Sequence, residues 1–405
     1  MSHIQNLPHT VPGLFLKRAV AKGALRQFTI RLALHGREII IRIAVIAHLR
    51  HPIRSPFMGG MEAHCHLLVR ALVLRGHEVV LFASGNSDDT LPLHAVTPHH
   101  YEAVLPWAQW RETKELTAFQ DRCFSATWAA IQREGFDVVH NNAMHPTLHD
   151  MALRDGQAMV TSLHVPPFKG LAMAIDRSAA PWLRQTTTSD SHLASWWAGP
   201  PATASVVYNG IQASDWAFNP DGNGRAIWVG RVTPNKGTHI AMDAARAVGM
   251  PLDLVGPIDC MDYYTQDVLP RLDATRVHHG SLGGADLAAI MRAASVMLMT
   301  PMWDEPFGLV AAEALACGVP VAALDRGAMR EVVGDCGALA AGPEGLPDAI
   351  MRARLLSREA CRVRAEEVFS VERMIEGYEA AYAAAVCAAG DARASRSSSM
   401  TAVLA

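Results

Sequence analysis

Two carboxylates lie eight positions apart in the stretch TPMWDEPFGLVAAEALACGVPV, which runs from Thr300 to Val321. Glu305 lies in a predicted loop before Gly308, and Glu313 lies one turn into the helix predicted after it. Carboxylates in this position can accept hydrogen bonds from sugar hydroxyls, and the N–H groups at the helix start suit a phosphate. The same spacing also fits an ordinary capped helix whose carboxylates only offset its dipole.

Two cations occupy a second glycine-bounded loop, GRVTPNKG, from Gly230 to Gly237. Arg231 can bind phosphate oxygens through its planar guanidinium, and Lys236 adds a mobile point charge. Together they could neutralise a diphosphate bound at this loop. The order of residues differs from the Walker pattern, and a solvated basic turn is the alternative interpretation.

A histidine and a pair of glycines in the first half of the chain are further candidates. His164 ends an apolar strand, where ligands of open parallel sheets bind, and it could serve as an acid, a base or a partner of a sugar hydroxyl. A histidine satisfied by backbone groups explains that position equally well. Gly59 and Gly60 begin a predicted helix, where the backbone can approach a phosphate or sugar closely, although a flexible turn is equally consistent.

The pattern His64-Cys65-His66 raises the question of a metal site. Both histidines fall in a predicted helix, where metal ligands are expected three or four residues apart. Residues two positions apart point to different faces, so no metal ion is expected here.

Two series of alternating strands and helices must position these residues. The first begins with the apolar run IIIRIAVIA at Ile39, and the second begins at Ala226 after the turn-rich linker NPDGNG. Such alternation predicts an α/β protein with two Rossmann-like, doubly wound domains. The expected ranges are residues 1–38 for an N-terminal extension outside the fold, 39–202 for the first domain, 203–370 for the second domain and 387–405 for a disordered tail.

Composition excludes several classes of protein. The 405 residues are 50% hydrophobic and 19% charged, as in an ordinary globular enzyme, and a net charge of −3 argues against nucleic-acid binding. Seven scattered cysteines without a C-x-x-C pair favour a reducing compartment, so a cytoplasmic location is expected. No apolar run approaches the ~20 residues that span a bilayer, but the basic N-terminal extension leaves peripheral membrane contact open.

Five motifs resemble the retaining glycosyltransferases of family 4 over about Arg42 to Val386: GGMEAH, VTSLHVPP, VYNGI, VGRVTPNKG and WDEPFGLVAAEALACGVPV. The resemblance implies the GT-B fold, in which two Rossmann-like domains face each other across a cleft. It also implies that the last helix of the fold, residues 371–386, crosses back to the first domain. Within the family, the amino-acid sequence is most similar to bacterial UDP-glucose:tetrahydrobiopterin glucosyltransferases and diacylglycerol glucosyltransferases.

The resemblance implies a role for each candidate residue. Arg231 and Lys236 would bind the donor diphosphate and stabilise it as it leaves. Glu313 would accept hydrogen bonds from the ribose hydroxyls, Glu305 would face the transferred sugar, and His164 would lie at the reaction centre. The remaining implied substrate-binding residues are Gly59, Gly60, Asn209, Phe307, Gly308 and Leu309.

The implied function is transfer of a hexose, with glucose from UDP-glucose as the expected donor, to a small-molecule, glycan or lipid hydroxyl. Retention by same-face attack is expected, with no metal ion or other cofactor. Close relatives tend to carry Gly-His-Leu where this chain has Gly280-Ser281-Leu282, and this segment is expected near the base of the donor nucleotide. A nucleotide-sugar epimerase of the same architecture is the alternative. A sugar-binding protein would need an export signal, and a dehydrogenase would need G-x-G-x-x-G after the first strand.

Overall fold

A buried apolar strand lies among the inner strands of the sheet in the first half of the chain. The computed structural model describes residues 40–403, with side chains up to residue 395, so the predicted extension at residues 1–38 lies outside the described residues. The strand expected from Ile39 is observed at Arg42–Ile46, and its last four residues are buried. Helices cover both faces of a parallel sheet, and for this reason the four residues after Arg42 are all apolar rather than alternating.

The first sheet contains seven parallel strands within the described residues. They are β1 Arg42–Ile46, β2 Glu78–Ser84, β3 Leu93–Thr97, β4 Val138–Asn141, β5 Met159–Leu163, β6 Leu183–Thr187 and β7 Ala204–Val206. Their order is β3-β2-β1-β4-β5-β6-β7, so the direction of winding reverses between β1 and β4. The helices of this half are α1 Gly60–Leu74, α2 Trp107–Trp110, α3 Lys114–Glu134, α4 Pro146–Asp155, α5 Lys169–Arg177 and α6 Asp190–Trp196.

The second sheet contains six parallel strands in the described chain. They are β8 Ala226–Val229, β9 Leu252–Val255, β10 Arg276–His278, β11 Val296–Met299, β12 Val321–Leu324 and β13 Gly337–Ala340. Their order is β10-β9-β8-β11-β12-β13, which reverses between β8 and β11. The prediction of two Rossmann-like sheets is therefore confirmed, and each sheet has a reversal point of the kind at which open sheets bind ligands.

The helices of the second half pack on this sheet, except for the last one. They are α7 Thr238–Ala247, α8 Met261–Tyr263, α9 Gly284–Ala293, α10 Leu309–Ala316, α11 Met329–Val333, α12 Leu346–Ala353, α13 Arg358–Val368 and α14 Val371–Val403. Helix α14 joins the hydrophobic core of the first half through the buried rings of Tyr378 and Tyr382. It extends well beyond residue 386, because its alanine-rich sequence continues to favour a helix.

Two observed elements carry only a weak signal in the sequence. Strand β3, at Leu93–Thr97, lies at the edge of its sheet and is mostly half-exposed, so it lacks the continuous apolar run of the inner strands. Helix α5, at Lys169–Arg177, starts soon after Pro166 and Pro167 and carries Gly170 in its first turn, which hides it from a search for helix formers.

No helix in the described part of the chain combines the length and the apolar character that crossing a bilayer would require.

Candidate active site

The acidic loop between β11 and α10 holds an ion pair formed with the basic loop after β8. The Nζ atom of Lys236 lies 2.6 Å from Oε2 of Glu305, and the indole Nε1 of Trp303 donates to the same oxygen at 2.9 Å. Glu305 is only 8% exposed, so this carboxylate depends on its partners rather than on water. The two loops that were singled out in the sequence are therefore in direct contact.

The backbone of the acidic loop is held by the segment between β12 and α11. The N–H of Ala328 donates to the carbonyl of Glu305 at 2.8 Å. The neighbouring Gly327 has φ of +57°, and a β-carbon there would lie 2.4 Å from both N and O of Glu305. Only glycine allows the two chain segments to approach this closely.

Replacing Gly327 with alanine is expected to lower the free energy of unfolding by about 2 kcal/mol, because strain at positive φ is added to a collision with the backbone. Gly249→Ala is the matched control, since Gly249 has φ of +65° with nothing within 4 Å of the added atom. The control should lose only about 1 kcal/mol. Urea unfolding of both variants measures the difference, and equal losses would show that the close approach to Glu305 is not restrictive.

Helix α10 begins at the end of the acidic loop. Gly308 has φ of +82°, and its position turns the chain into the helix at Leu309. The ring of Phe307 is buried against Tyr208 and Phe369, which anchors this turn in the core of the second half. The first N–H groups of a helix have no partner inside it, so this turn offers hydrogen-bond donors to a ligand.

Glu313 is partly buried on α10, and its side chain has no hydrogen-bond or ion-pair partner among the described residues. Desolvation raises the pKa of this carboxyl to about 8. An unpaired buried carboxyl is costly in an apolar setting, and two vicinal hydroxyls would supply the donors that it lacks. The environment of Glu313 therefore suits the binding of a polar ligand that donates hydrogen bonds.

Arg231 follows β8 at the same end of the second sheet as Lys236. Its Nη1 atom lies 2.7 Å from Oδ2 of Asp259, so its guanidinium already has an acidic partner. The loops after β8 and β9 are in close contact at Gly256 and Gly230. A β-carbon on Gly256 would lie 1.8 Å from the carbonyl oxygen of Gly230, so there is no room for a side chain.

The glycine turn of the first half faces the start of α10. Gly59 precedes α1 in an extended conformation, and a β-carbon on Gly60 would lie 4.0 Å from Cβ of Leu309. The candidate residues Gly60 and Leu309, which are far apart in the sequence, thus meet where the two halves approach each other.

His164 follows β5, and its ring is held in one orientation. Its Nε2 atom lies 3.1 Å from Oδ1 of Asn142, and its ring centroid lies 4.5 Å from that of His64. Burial lowers the pKa of His164 well below 6.5, and the neighbouring His64 adds to the effect. The ring is therefore neutral at pH 7, with Nε2–H donating to Asn142 and Nδ1 left as a hydrogen-bond acceptor.

The other histidines of interest have partners inside the protein, although Nδ1 of His64 has none among the described residues. His140 is fully buried and bonds to Tyr382 at 2.6 Å through Nδ1. His64 contacts the hydroxyl of Tyr378 at 3.2 Å, and His66 pairs with Asp88 at 2.9 Å. Across residues 40–395, no group of three or more histidine, cysteine, aspartate or glutamate side chains is arranged to hold a metal ion.

Asn209 lies in the segment that joins the two sheets. It is 7% exposed, and its Oδ1 atom has no hydrogen-bond partner among the described residues. An unpaired buried carbonyl oxygen usually marks a place for a water molecule or a ligand.

Several residues of the site were missed in the sequence. Asn142, Trp303 and Asp259 contact candidate residues directly, yet none belongs to a chemical pair at a recognisable spacing. Asn142 did carry a signal, because it directly follows the buried strand β4, where polar side chains are exposed to ligands.

Two family models match the chain, one on each sheet. The model described as Glycosyltransferase Family 4 matches residues 58–215, and the model described as Glycosyl transferases group 1 matches residues 223–355. The boundary between the two matches falls in the linker between β7 and β8.

Curated relatives are similar over most of the chain. A phosphatidyl-myo-inositol mannosyltransferase of Mycobacterium leprae is 26% identical over 308 residues, which are 68% of this chain and 78% of the relative. A glycogen synthase of Mycobacterium tuberculosis is also 26% identical, over 68% of this chain and 77% of the relative. These relatives give no support to the finer likeness to tetrahydrobiopterin or diacylglycerol glucosyltransferases.

Solved structures share the fold at low sequence identity. Sucrose-phosphate synthase from Thermosynechococcus elongatus superposes with a TM-score of 0.68 at 19% identity, covering 85% of this chain and 100% of the other. Anabaena Alr3699/HepE in complex with UDP-glucose superposes with a TM-score of 0.64 at 17% identity, covering 84% and 100%. The two family matches, the curated relatives and this shared fold agree. The chain belongs to the group 1 glycosyltransferases of family 4, retaining hexosyltransferases with the GT-B fold that take their sugar from a nucleotide-diphosphate sugar.

Proposed function

We propose that the protein transfers glucose from UDP-glucose to a hydroxyl acceptor, with retention at the anomeric carbon. The observation that supports this proposal is the contact between Lys236 and Glu305, because the cation proposed for the diphosphate then lies beside the acid proposed for the sugar. Anabaena Alr3699/HepE, which has the same fold, was solved with UDP-glucose, and that choice of donor is extended to this chain. We assign residues 39–202 to the acceptor side and residues 203–370 to the donor side.

In the proposed reaction, Lys236 and Arg231 stabilise the negative charge that develops on the leaving diphosphate. Such stabilisation lowers the barrier most when the charges are already in place before the bond breaks. The position of both cations in the loop after β8 supports this role, and the carboxylates of Glu305 and Asp259 hold their side chains in place. These two cations can offset the developing charge without a metal ion.

Glu305 is proposed to hold a hydroxyl of the transferred sugar rather than to attack it. Its Oε2 atom already accepts from both Lys236 and Trp303, and such contacts reduce the nucleophilicity of a carboxylate. Same-face attack by the acceptor, assisted by the departing phosphate, accounts for retention without a covalent intermediate on the protein.

His164 is proposed to position a hydroxyl at the reaction centre through Nδ1. A histidine that is neutral at pH 7 cannot act as a general acid in its resting state, and its low pKa makes it a weak base. Glu313 is proposed to bind the ribose hydroxyls. The backbone N–H groups of Phe307, Gly308 and Leu309 are proposed to lie near the sugar and the phosphate.

A panel of nucleotide sugars tests the donor. The protein is incubated with UDP-, GDP- and ADP-linked hexoses and a mixture of small-molecule, glycan and lipid acceptors, and release of free nucleotide is measured. Release of UDP from UDP-glucose above all others is the expected result. Conversion of the nucleotide sugar into an epimer without nucleotide release would instead support the alternative of an epimerase.

A further inference from the structure

The carbonyl of Pro306 accepts two hydrogen bonds from the opposite half of the molecule. The hydroxyl of Ser189 donates to it at 2.7 Å, and the hydroxyl of Thr188 donates at 2.9 Å. Both donors follow β6 of the first sheet, whereas Pro306 lies in the acidic loop of the second half, and both hydroxyl residues are buried. This contact joins the first half directly to the residue next to Glu305.

The hydroxyl proton of Ser189 has no acceptor besides the carbonyl of Pro306 among the contacts of the described residues. The oxygen of Ser189 accepts the N–H of His192 at 3.0 Å as the cap of α6, which leaves the single hydroxyl proton for Pro306. Thr188 has a competing acceptor, because Nδ1 of His192 lies 3.1 Å from its oxygen while Nε2 donates to the carbonyl of Val165 at 2.8 Å. Ser189 is therefore the stronger of the two donors.

The other hydrogen bonds described above for Glu305 in the acidic loop all come from the second half. The N–H of Ala328 holds the carbonyl of Glu305, and Lys236 and Trp303 hold its carboxylate. Pro306 has no N–H, so its carbonyl is the one main-chain polar group with which it can be held. The segment around Glu305 is therefore held from both halves only when the first half contacts Pro306.

A second contact lies next to the first. The carboxylate of Glu331, on α11, accepts the N–H of Asp190 at 2.9 Å and the N–H of Ser191 at 3.2 Å. The first turn of α6 therefore donates to the second half at Glu331, and the two residues before it donate at Pro306. Two neighbouring contacts fix the orientation of the first half relative to the acidic loop better than one contact can.

We propose that Ser189 is a positioning residue, which sets Glu305 for the transferred sugar from across the cleft. This inference rests on the proposed role of Glu305 in holding that sugar. It implies that turnover, but not nucleotide binding, depends on the hydroxyl of Ser189. The nucleotide is expected to bind to groups of the second half alone, whereas the loop geometry needs both halves.

The test compares Ser189→Ala with Ser357→Ala. Ser357 caps α13 by accepting the N–H of Ala360 at 3.1 Å, so its replacement removes a similar helix cap without a contact between the halves. Relative to the wild type, Ser189→Ala should lower kcat for UDP release from UDP-glucose about tenfold, the usual scale for one lost buried hydrogen bond. The dissociation constant of UDP should stay within twofold, and Ser357→Ala should leave both quantities unchanged.

Hydrogen–deuterium exchange gives a readout that does not depend on activity. The amides of residues 307–309 should exchange faster in Ser189→Ala than in Ser357→Ala or the wild type. Thr188→Val, which keeps the cap of α6, should give a smaller change in the same direction and carries the test if Ser189→Ala does not fold. Unchanged exchange and unchanged kcat in these variants would overturn the proposal. A wild-type protein that releases no nucleotide would instead overturn the proposed function.

Discussion

Replacing Lys236 with alanine is expected to lower kcat/KM for the nucleotide-sugar donor by at least ~100-fold, about 2.7 kcal/mol of transition-state stabilisation. The variant loses the cation proposed for the diphosphate, and it also leaves Glu305 buried without its ion-pair partner at 2.6 Å. A buried carboxylate that loses its cation is left uncompensated, so the interaction of Glu305 with a sugar hydroxyl would change as well. Steady-state UDP release from UDP-glucose measures the loss.

Lys114→Ala is the control for this prediction, because Lys114 is an exposed lysine at the start of α3 in the other half of the molecule. Its replacement should leave kcat/KM unchanged. Glu305→Gln adds a sharper comparison, since two residues in direct contact should show non-additive losses when both are changed. Additive losses in the double variant, or activity of Lys236→Ala within threefold of the wild type, would show that the pair does not act as one unit.

Replacing Glu313 with glutamine is expected to lower kcat/KM by roughly 100-fold, while it makes the protein more stable. The loss follows from the proposed contact of the ionised carboxylate with the ribose hydroxyls. The gain follows from burial, because Glu313 has a pKa of about 8 in the folded protein and an ordinary value of 4.5. Between these pH values the unfolded chain releases a proton that the folded protein retains, so wild-type stability falls as pH rises.

The pH dependence separates this prediction from a simple loss of contact. The melting temperature of Glu313→Gln should exceed that of the wild type by a margin that widens from pH 5 to pH 8. In the wild type, the dissociation constant of UDP should decrease as pH rises towards 8, because hydroxyl donors favour the ionised carboxylate. The variant should lose this dependence.

Glu367→Gln provides the comparison for Glu313→Gln, because it makes the same substitution at an exposed position on α13. It should match the wild type in activity and in melting temperature from pH 5 to pH 8. The interpretation of Glu313 would be wrong if Glu313→Gln melted at the same temperature as the wild type throughout this range and bound UDP with the same pH dependence.

Local patterns in the sequence were sufficient to predict the two sheets. The apolar run before Ala47 and the short run before Thr300 each become an inner strand, because helices cover both faces of a parallel sheet. The loops that hold Lys236 and Glu305 were also visible, since glycines and charged residues directly follow such strands. The edge strand β3 was not, because one side of its backbone lacks a neighbouring strand and its side chains are half-exposed.

The partners of the charged residues emerged only from the tertiary structure. Lys236 and Glu305 are 69 residues apart, and they meet because β8 and β11 are neighbours at the reversal point of the second sheet. Ser189 and Pro306 are 117 residues apart and meet only where the two halves approach each other. Sequence periodicity reports the local burial of each element, whereas these contacts depend on the order of strands and on the packing of one half against the other.

The protonation of the site was likewise decided by folding. The residue types and spacing of Glu313 and His164 marked them as candidates, and each could equally have been an ordinary ionisable group. Burial without a counter-charge raises the pKa of Glu313 and lowers that of His164, because a low-dielectric environment penalises whichever form is charged. The sequence by itself therefore determined which groups are available and on which loops they lie. Only the packed structure determined which of them carry charge and which of them touch.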